Sequence, residues 1–378
     1  MATTKTKKNS KTKKEEPEIS EEIEEIDTLD SEVEETTETN NKTTKTKKSS
    51  KKNSKAREKV EVSLVKEFNI EDLSGVGPAI ADKLKESGYG SVEALAVASP
   101  NEVSSLTSIG ESTMGKIIQA ARDKLKIGFT TAAEVLDNRK AMDRFTTGSE
   151  QFDTMIGGGV ETKSLIEVYG EFRTGKTQIA HQLCVTVQLP KEKGGLEANA
   201  VYIDAEGTFR PERLLEIAEK YPELDPKTML DNVIYARSYN SSHQQLIVDK
   251  LPAIIKENNI KLVVVDSIIS HFRSEYIGRG TLADRQQKLN KFIHKLLQIG
   301  EAYNLAVFAT NQVMASPGVF FGDPTQPVGG HVLAHASTYR IYLRKSKGEK
   351  RIARMVDSPC LPEREAVFMI YEHGIKDP

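Results

Sequence analysis

Leu165-Ile166-Glu167-Val168-Tyr169 runs straight into Gly170-Glu171-Phe172-Arg173-Thr174-Gly175-Lys176-Thr177, and a helix-forming stretch from Gln178 to Val187 follows. This strand, glycine-bounded loop and helix match the phosphate-binding pattern GxxxxGK[ST] in full. The order matters to the chemistry. Glycines let the backbone wrap an anion, and the first turn of a helix presents unpaired N–H groups to it. Lys176 is placed to reach the β- and γ-phosphates of a nucleotide, and Thr177 to offer a hydroxyl to Mg²⁺.

Working outward, the segments Ala200–Asp204, Asn232–Ala236, Lys261–Asp266 and Leu305–Thr310 are β-branched and apolar. Several are nearly continuous apolar runs, as strands buried on both faces are. Helix-forming stretches separate them, which predicts an α/β domain with a mostly parallel sheet. Lys261-Leu262-Val263-Val264-Val265-Asp266 delivers a carboxylate at a strand's carboxyl end, where a nucleotide's Mg²⁺ is held in such proteins. Glu206 lies just beyond another strand, in Tyr202-Ile203-Asp204-Ala205-Glu206-Gly207. Position alone leaves it even between a group that orients water and a surface turn residue. Gln312, after Leu305–Thr310, is either a γ-phosphate sensor or a buried capping amide.

Towards the N-terminus, Val65, Phe68, Ile70 and Leu73 lead into Ser74-Gly75-Val76-Gly77-Pro78 and an amphipathic segment with Ile80, Leu84 and Tyr89. A weaker copy follows at Leu106-Thr107-Ser108-Ile109-Gly110, with Met114, Ile117, Ile118 and Ala121 at helical spacing. Four or five short helices and two hairpins are expected. Gly75 and Gly77 could expose N–H groups to a DNA phosphate without reading sequence, with Lys83 and Lys85 nearby, or make a plain helix–helix turn. The second copy, with Glu111, reads as a packing partner. Phe129-Thr130-Thr131-Ala132 opens a helical stretch to about Lys140, and an isolated Phe129 in a linker is most simply a residue of its own chain's core.

The chain has 378 residues and a net charge of −2, but the charge is segregated. Residues 1–60 carry 15 Lys/Arg and 14 Asp/Glu in alternating blocks and no aromatic residue. Such a segment cannot bury enough apolar surface to offset its ordering entropy, so a disordered tail is expected, either solubilising or a basic arm masked by its own acidic block. No apolar run is long enough to span a bilayer, and the Lys-rich start lacks the apolar stretch of a secretory signal. Cys184 and Cys360 are the only cysteines. A disulfide scaffold is thereby excluded, a reducing compartment fits, and no zinc-type spacing is present.

Six stretches now resemble a known family. They are Gly170–Gln178, DAEGTFRPER (204–213), DSIISHFRSEYIGRGTLADRQQ (266–287), TNQV (310–313), GGHVLAHAS (329–337) and DSPCLPE (357–363). They are similar to the RadA/RecA-type recombinases of the archaeal and eukaryotic branch, over about residues 61–378. The resemblance implies a RecA-type P-loop ATPase core at 141–378. Before it would come a helix-hairpin-helix DNA-binding domain at 61–125 and a linker with an oligomerisation motif at 126–140; the tail 1–60 lies outside.

It also implies roles. ATP with Mg²⁺ would be bound by Gly170, Glu171, Phe172, Arg173, Thr174, Gly175, Lys176, Thr177 and Gln178, with Arg213 stacked on adenine and Thr177 and Asp266 at the metal. Glu206 would activate water, and Gln312 would link the γ-phosphate to the second DNA-binding loop. Asp357 and Pro362 of the next subunit would cap the nucleotide, and its His335 would sense the γ-phosphate. Arg273, Arg279 and Arg285, in a first loop at about Phe272–Arg285, would follow single-stranded DNA; a second loop spans about Val313–His331. Phe129 and Ala132 would fill pockets on a neighbour's sheet edge.

The implied function is a DNA-dependent ATPase of the cytoplasm, associated with the nucleoid. It would form helical filaments on single-stranded DNA, engage double-stranded DNA and exchange strands in recombination and repair, with recombination mediator proteins as partners and no membrane. A ring-forming RecA-fold helicase or regulatory ATPase stays open. So does a non-catalytic mediator, though the intact motifs argue against it.

Overall fold

Pro78 and Pro100 open two of the four helices that fold first along the chain, Pro78–Glu86, Val92–Val97, Pro100–Thr107 and Glu111–Lys124. Proline suits a first helical turn because its missing N–H is unpaired there in any case. Ser91 caps the second helix, its hydroxyl accepting from the Ala94 N–H at 3.2 Å. Leu84, Val92, Leu95, Val103, Met114, Ile117, Ile118 and Ala121 meet in one core, as their helical spacing predicts. The two hairpins are copies. Gly75 has φ +90°, and Ser108 takes the same left-handed region at φ +57°. Val76 and Ile109, one residue later in each, are both buried.

The computed structural model describes residues 68–315 and 325–378. The tail 1–60, Val65, and the middle of the second loop with Phe320-Phe321 lie outside the described residues, as does the side chain of Arg279.

The linker helix Ala132–Lys140 is held by its own capping box, in which Thr131 and Glu134 bond each other's backbone N–H. None of its residues is buried.

After the short antiparallel pair β1 (Arg144–Phe145) and β2 (Val160–Glu161), one large sheet dominates. Its strands are β3 (Leu165–Gly170), β4 (Asn199–Asp204), β5 (Val233–Arg237), β6 (Ile260–Asp266) and β7 (Ala306–Asn311). After the small pair β8 (Val313–Ala315) and β9 (Thr325–Pro327) come β10 (Tyr339–Lys345), β11 (Lys350–Asp357), β12 (Glu365–Tyr371) and β13 (Gly374–Lys376). The order across the sheet is β13-β12-β11-β10-β3-β7-β6-β4-β5. From β10 to β5 all neighbours are parallel; β11 to β13 add antiparallel strands at one edge.

The continuous apolar runs divide by a period of two. Leu262, Val264, Ala306 and Phe308 join a core on one face, while Val263, Val265, Val307 and Ala309 join a core on the other. Helix Lys176–Thr186 covers the first face and helix Leu282–Tyr303 the second. The small helical unit rests on the latter helix, where Lys295 Nζ donates to Tyr89 Oη and Glu102 Oε1, each at 2.9 Å. No helix among the described residues is long and apolar enough to cross a membrane.

The expected first loop needs correcting. Phe272 is buried in helix Ser270–Glu275 against Phe292, with ring centroids 5.7 Å apart. Arg279–Thr281 form a short 3-10 turn, and Arg285 already lies in helix Leu282–Tyr303. The apolar series Leu289, Phe292, Ile293, Leu296 and Ile299 drives that helix, and it starts earlier than glycine and arginine content alone suggests.

Candidate active site

The phosphate loop follows β3 and enters helix Lys176–Thr186 at Gly175, which has φ +107°. A Cβ there would lie 2.5 Å from Ile370 Cδ1 and would be strained by the backbone, so glycine is required. Thr174 Oγ1 donates to the Glu171 carbonyl at 2.9 Å and closes the loop on itself. Gly175 offers no side-chain cap, which leaves the first N–H groups of an 11-residue helix for an anion. Lys176 Nζ donates to the Gly170 and Glu171 carbonyls at 2.8 and 2.9 Å. Burial pushes this ammonium below the ordinary lysine range, with Asp266 and Glu206 pulling it back up.

Asp266, at the end of β6, is the hub beneath the loop. Its Oδ2 accepts from Thr177 Oγ1 at 2.9 Å and Tyr202 Oη at 2.7 Å, and its Oδ1 from Thr310 Oγ1. One buried carboxylate ringed by hydroxyls suits a hard cation that keeps several waters and takes its remaining ligands from phosphate. Among the described residues no group of three His, Cys, Asp or Glu could hold a metal unaided. The donor set therefore fits Mg²⁺ carried by a nucleotide, with Thr177 and Asp266 as the protein's share.

Asp204, the equivalent carboxylate of the neighbouring strand, is spent on structure. Burial works against its charge, but N–H donors of Glu206, Gly207, Thr208 and Phe209 hold it below the usual carboxylate range. This turn aims Glu206 into the cleft. Burial, then the charge of Asp266, raises the Glu206 carboxyl above its ordinary value, while the Gln312 amide and Lys176 pull it down. Gln312 Nε2 donates to Glu206 Oε1 at 2.7 Å, and Gln312 Oε1 accepts from Arg273 Nη1 at 3.1 Å.

These groups share a cleft of about 950 Å³ with Gly170, Phe172, Arg173, Gln178 and Arg213, within the usual range for small-molecule sites. Arg213 is tied by its Nε to Gln178 Oε1 at 2.8 Å and by Nη2 to the Tyr371 carbonyl at 2.6 Å. Thr208, Glu349, Arg351 and Ile370 also line the cleft, and sequence reasoning missed them. Thr208 follows Glu206 in the same turn and was within reach. Glu349, Arg351 and Ile370 arrive only through the antiparallel edge, whose pairing no local signal announces. His181 beneath Thr177 was missed too. Its Nδ1 faces the Thr177 carbonyl at 2.7 Å and its Nε2 accepts from the Arg210 N–H at 3.1 Å. Burial lowers its pKa, and the ring bridges the start of the helix and the turn after β4.

The remaining candidates lie elsewhere. Asp357, Pro362 and His335 are exposed and do not line their own chain's cleft. Arg285 is half-buried, with no hydrogen-bond partner for its Nε. Gly77 caps helix Pro78–Glu86 with open space where a Cβ would stand, and Gly75 makes the turn before it. Lys85 is paired with Glu71 at 2.8 Å. Phe129 is 112 % exposed and Ala132 exposed, so Phe129 is no core residue of its own chain.

Comparison with known proteins agrees with this layout. The SAM-like helix-hairpin-helix tandem family matches residues 69–123, and the Rad51 family matches residues 138–378. A protein of Aeropyrum pernix named DNA repair and recombination protein RadA is 55% identical over 310 residues, which cover 82% of this chain and 97% of that protein.

Proposed function

This chain belongs to the Rad51 family, and we propose on that premise that it is an ATP-driven DNA recombinase. It assembles as a helical filament on single-stranded DNA and exchanges strands with a homologous duplex. The observation that carries this reading is the convergence of Lys176, Thr177, Asp266, Glu206 and Gln312 on one cleft, with Gln312 bonded onward to Arg273.

Each residue has a physical task. The loop amides and Lys176 gather the phosphates, and the partly desolvated ammonium faces charge that grows at the γ-phosphate. Thr177 and Asp266 would hold Mg²⁺, which would supply charge neutralisation of the phosphate oxygens. Glu206, made more basic by its surroundings, takes the proton of the attacking water. Arg213 walls the nucleotide base, beside Tyr371 and Glu372.

Assembly completes the site. Asp357, Pro362 and His335 are exposed and do not line their own cleft, which suits groups supplied to a neighbour's nucleotide. Phe129 and Ala132 are the exposed anchors of an extended segment. Among the described residues strand β5 ends the sheet with an unpaired edge; it carries exposed Tyr235, and exposed Tyr239 and Leu246 follow it. Addition of the segment there would satisfy that edge through backbone hydrogen bonds. A head-to-tail contact that does not close makes a filament. Arg273, Arg279 and Arg285 serve single-stranded DNA, and the Gly75–Gly77 hairpin a duplex backbone. The same reading takes 61–125, 126–140 and 141–378 as the working divisions, mediator proteins as partners and the cytoplasm as the site of action.

The test is ATP turnover with and without single-stranded DNA, strand exchange between labelled oligonucleotides, and electron microscopy of the complex. DNA-stimulated turnover, exchange and open filaments are expected. Closed rings without exchange would overturn the proposal in favour of a helicase-like or regulatory ATPase.

A further inference from the structure

Gln312 stands between two groups that cannot exchange roles. A guanidinium only donates hydrogen bonds, and an ionised carboxylate only accepts them. With Arg273 Nη1 3.1 Å from Oε1 and Glu206 Oε1 2.7 Å from Nε2, one amide orientation satisfies both neighbours. A flip would set the NH₂ against the guanidinium and the carbonyl against the carboxylate. Arg273 thus fixes the end of the amide that Glu206 meets.

The supports on either side are firm, so the side chains are the parts free to move. The Gln312 N–H donates to Asn311 Oδ1 at 2.7 Å, and its carbonyl accepts from the Val328 N–H at 2.9 Å. Asn311 is itself buried and bonded to Glu167 and the Val328 carbonyl, both at 2.7 Å. Arg273 follows Phe272, which is locked in the core, while its own side chain is exposed. An exposed guanidinium can trade a neutral amide oxygen for a phosphate oxygen, because the phosphate adds an opposite charge and a second acceptor for a bidentate pair.

We propose that Arg273 is a positioning residue that clasps Gln312 onto Glu206, and that the phosphate backbone of single-stranded DNA opens the clasp by taking the guanidinium. Closed, the clasp occupies Glu206 Oε1 and stabilises its ionised form, which makes a weaker base. Open, the amide can rotate, Oε1 is free to accept a proton from water, and the carboxylate becomes more basic. One arginine then binds DNA and releases the base. The inference rests on Glu206 as the base, and the experiment separates the two ideas.

The discriminating quantity is turnover without DNA, which a mere DNA contact cannot alter. Arg273→Ala should raise the DNA-free kcat about tenfold, the scale of one hydrogen bond to a charged group, with KM for ATP unchanged. The stimulation ratio on adding DNA should shrink accordingly. Arg273→Lys should return the DNA-free rate to the wild-type level, because an ammonium can donate to the same carbonyl. Melting should be unaffected, since the side chain is exposed. An unchanged or lower DNA-free kcat in Arg273→Ala overturns the clasp while leaving Glu206 as the base. Wild-type protein that hydrolyses no ATP with or without DNA overturns both.

Discussion

Phe129→Glu separates a filament-forming protein from an isolated ATPase, and its consequences can be worked from exposure alone. Phe129 is 112 % exposed, so no described residue of its own chain covers the ring. Surface substitutions of this kind usually change stability by no more than about 0.5 kcal/mol, or about 1–2 °C in Tm. A neighbouring protomer that covers the ring removes roughly 150–250 Å² from water, worth up to about 4–6 kcal/mol. A typical aromatic anchor loses at least about 2 kcal/mol on truncation, and glutamate adds the cost of an unpaired buried carboxylate. Association should therefore weaken by more than about 30-fold. Light scattering reports assembly and thermal unfolding reports the protomer. Because assembly itself raises Tm by mass action, both proteins are melted at a dilution where the wild type is dissociated. Mass should fall to that of the monomer while Tm barely moves, and DNA-stimulated hydrolysis should fall with it. Unchanged mass would show that Phe129 is not the joint. A large fall in Tm at that dilution would mean that the exposure argument is wrong.

Other outcomes follow from the cleft and the small domain. Lys176→Ala should cut kcat by about 10²–10³ with an intact fold, and near-normal turnover would remove the phosphate loop from the mechanism. Glu206→Gln should keep nucleotide binding and leave long-lived ATP filaments; failure to bind ATP would make Glu206 structural. Burial raises the Glu206 carboxyl, and a base works only when ionised, so kcat should fall as pH drops through a value above the ordinary glutamate figure of about 4.3. An acid limb at or below that figure would refute the assignment. Replacing Arg273, Arg279 and Arg285 together should flatten the salt dependence of single-strand binding by about 2 in log–log slope, roughly 0.7 per contact. An unchanged slope would place the DNA elsewhere. Gly75→Ala should cost about 1–2 kcal/mol because of its φ of +90°, with no change in DNA-free turnover, as read by melting and kinetics.

What the sequence disclosed depended on how locally each feature is encoded. Five of the six parallel strands, β3 to β7, were legible to within a residue at each end because their β-branched apolar runs are short and bounded by helix-forming stretches; four of them are buried on both faces, and only β5 is partly exposed. β10 was not. Tyr339, Ile341 and Leu343 point into the core while Arg340, Tyr342 and Arg344 alternate with them, and so short an alternation among charged residues looks like surface. β10 to β13 nevertheless bring Arg351 and Ile370 to the nucleotide cleft. Their place there is a property of topology, which pairs Arg351 with Phe368.

The roles of Glu206 and Gln312 illustrate a different boundary. Composition left each balanced between a functional and a plain structural reading, because a glutamate in a turn and an amide after a strand are common. Two features of the fold support the functional reading. The backbone N–H groups of the 206–209 turn all point at Asp204, which consumes that carboxylate and directs the next acid outward over the phosphate loop. β7 then lies two strands from β4 in the sheet, next to β6, so residues 106 positions apart in sequence come within 2.7 Å. Parallel order sends every strand's carboxyl end to the same rim. An acid after β4, a carboxylate ending β6 and an amide after β7 therefore line one cleft, and the first arginine beyond β6 reaches the same amide. On the proposed reading, in which Glu206 is the base and Arg273 meets DNA, the path between them is three side chains long, which is short enough for a single substitution at Arg273 to break.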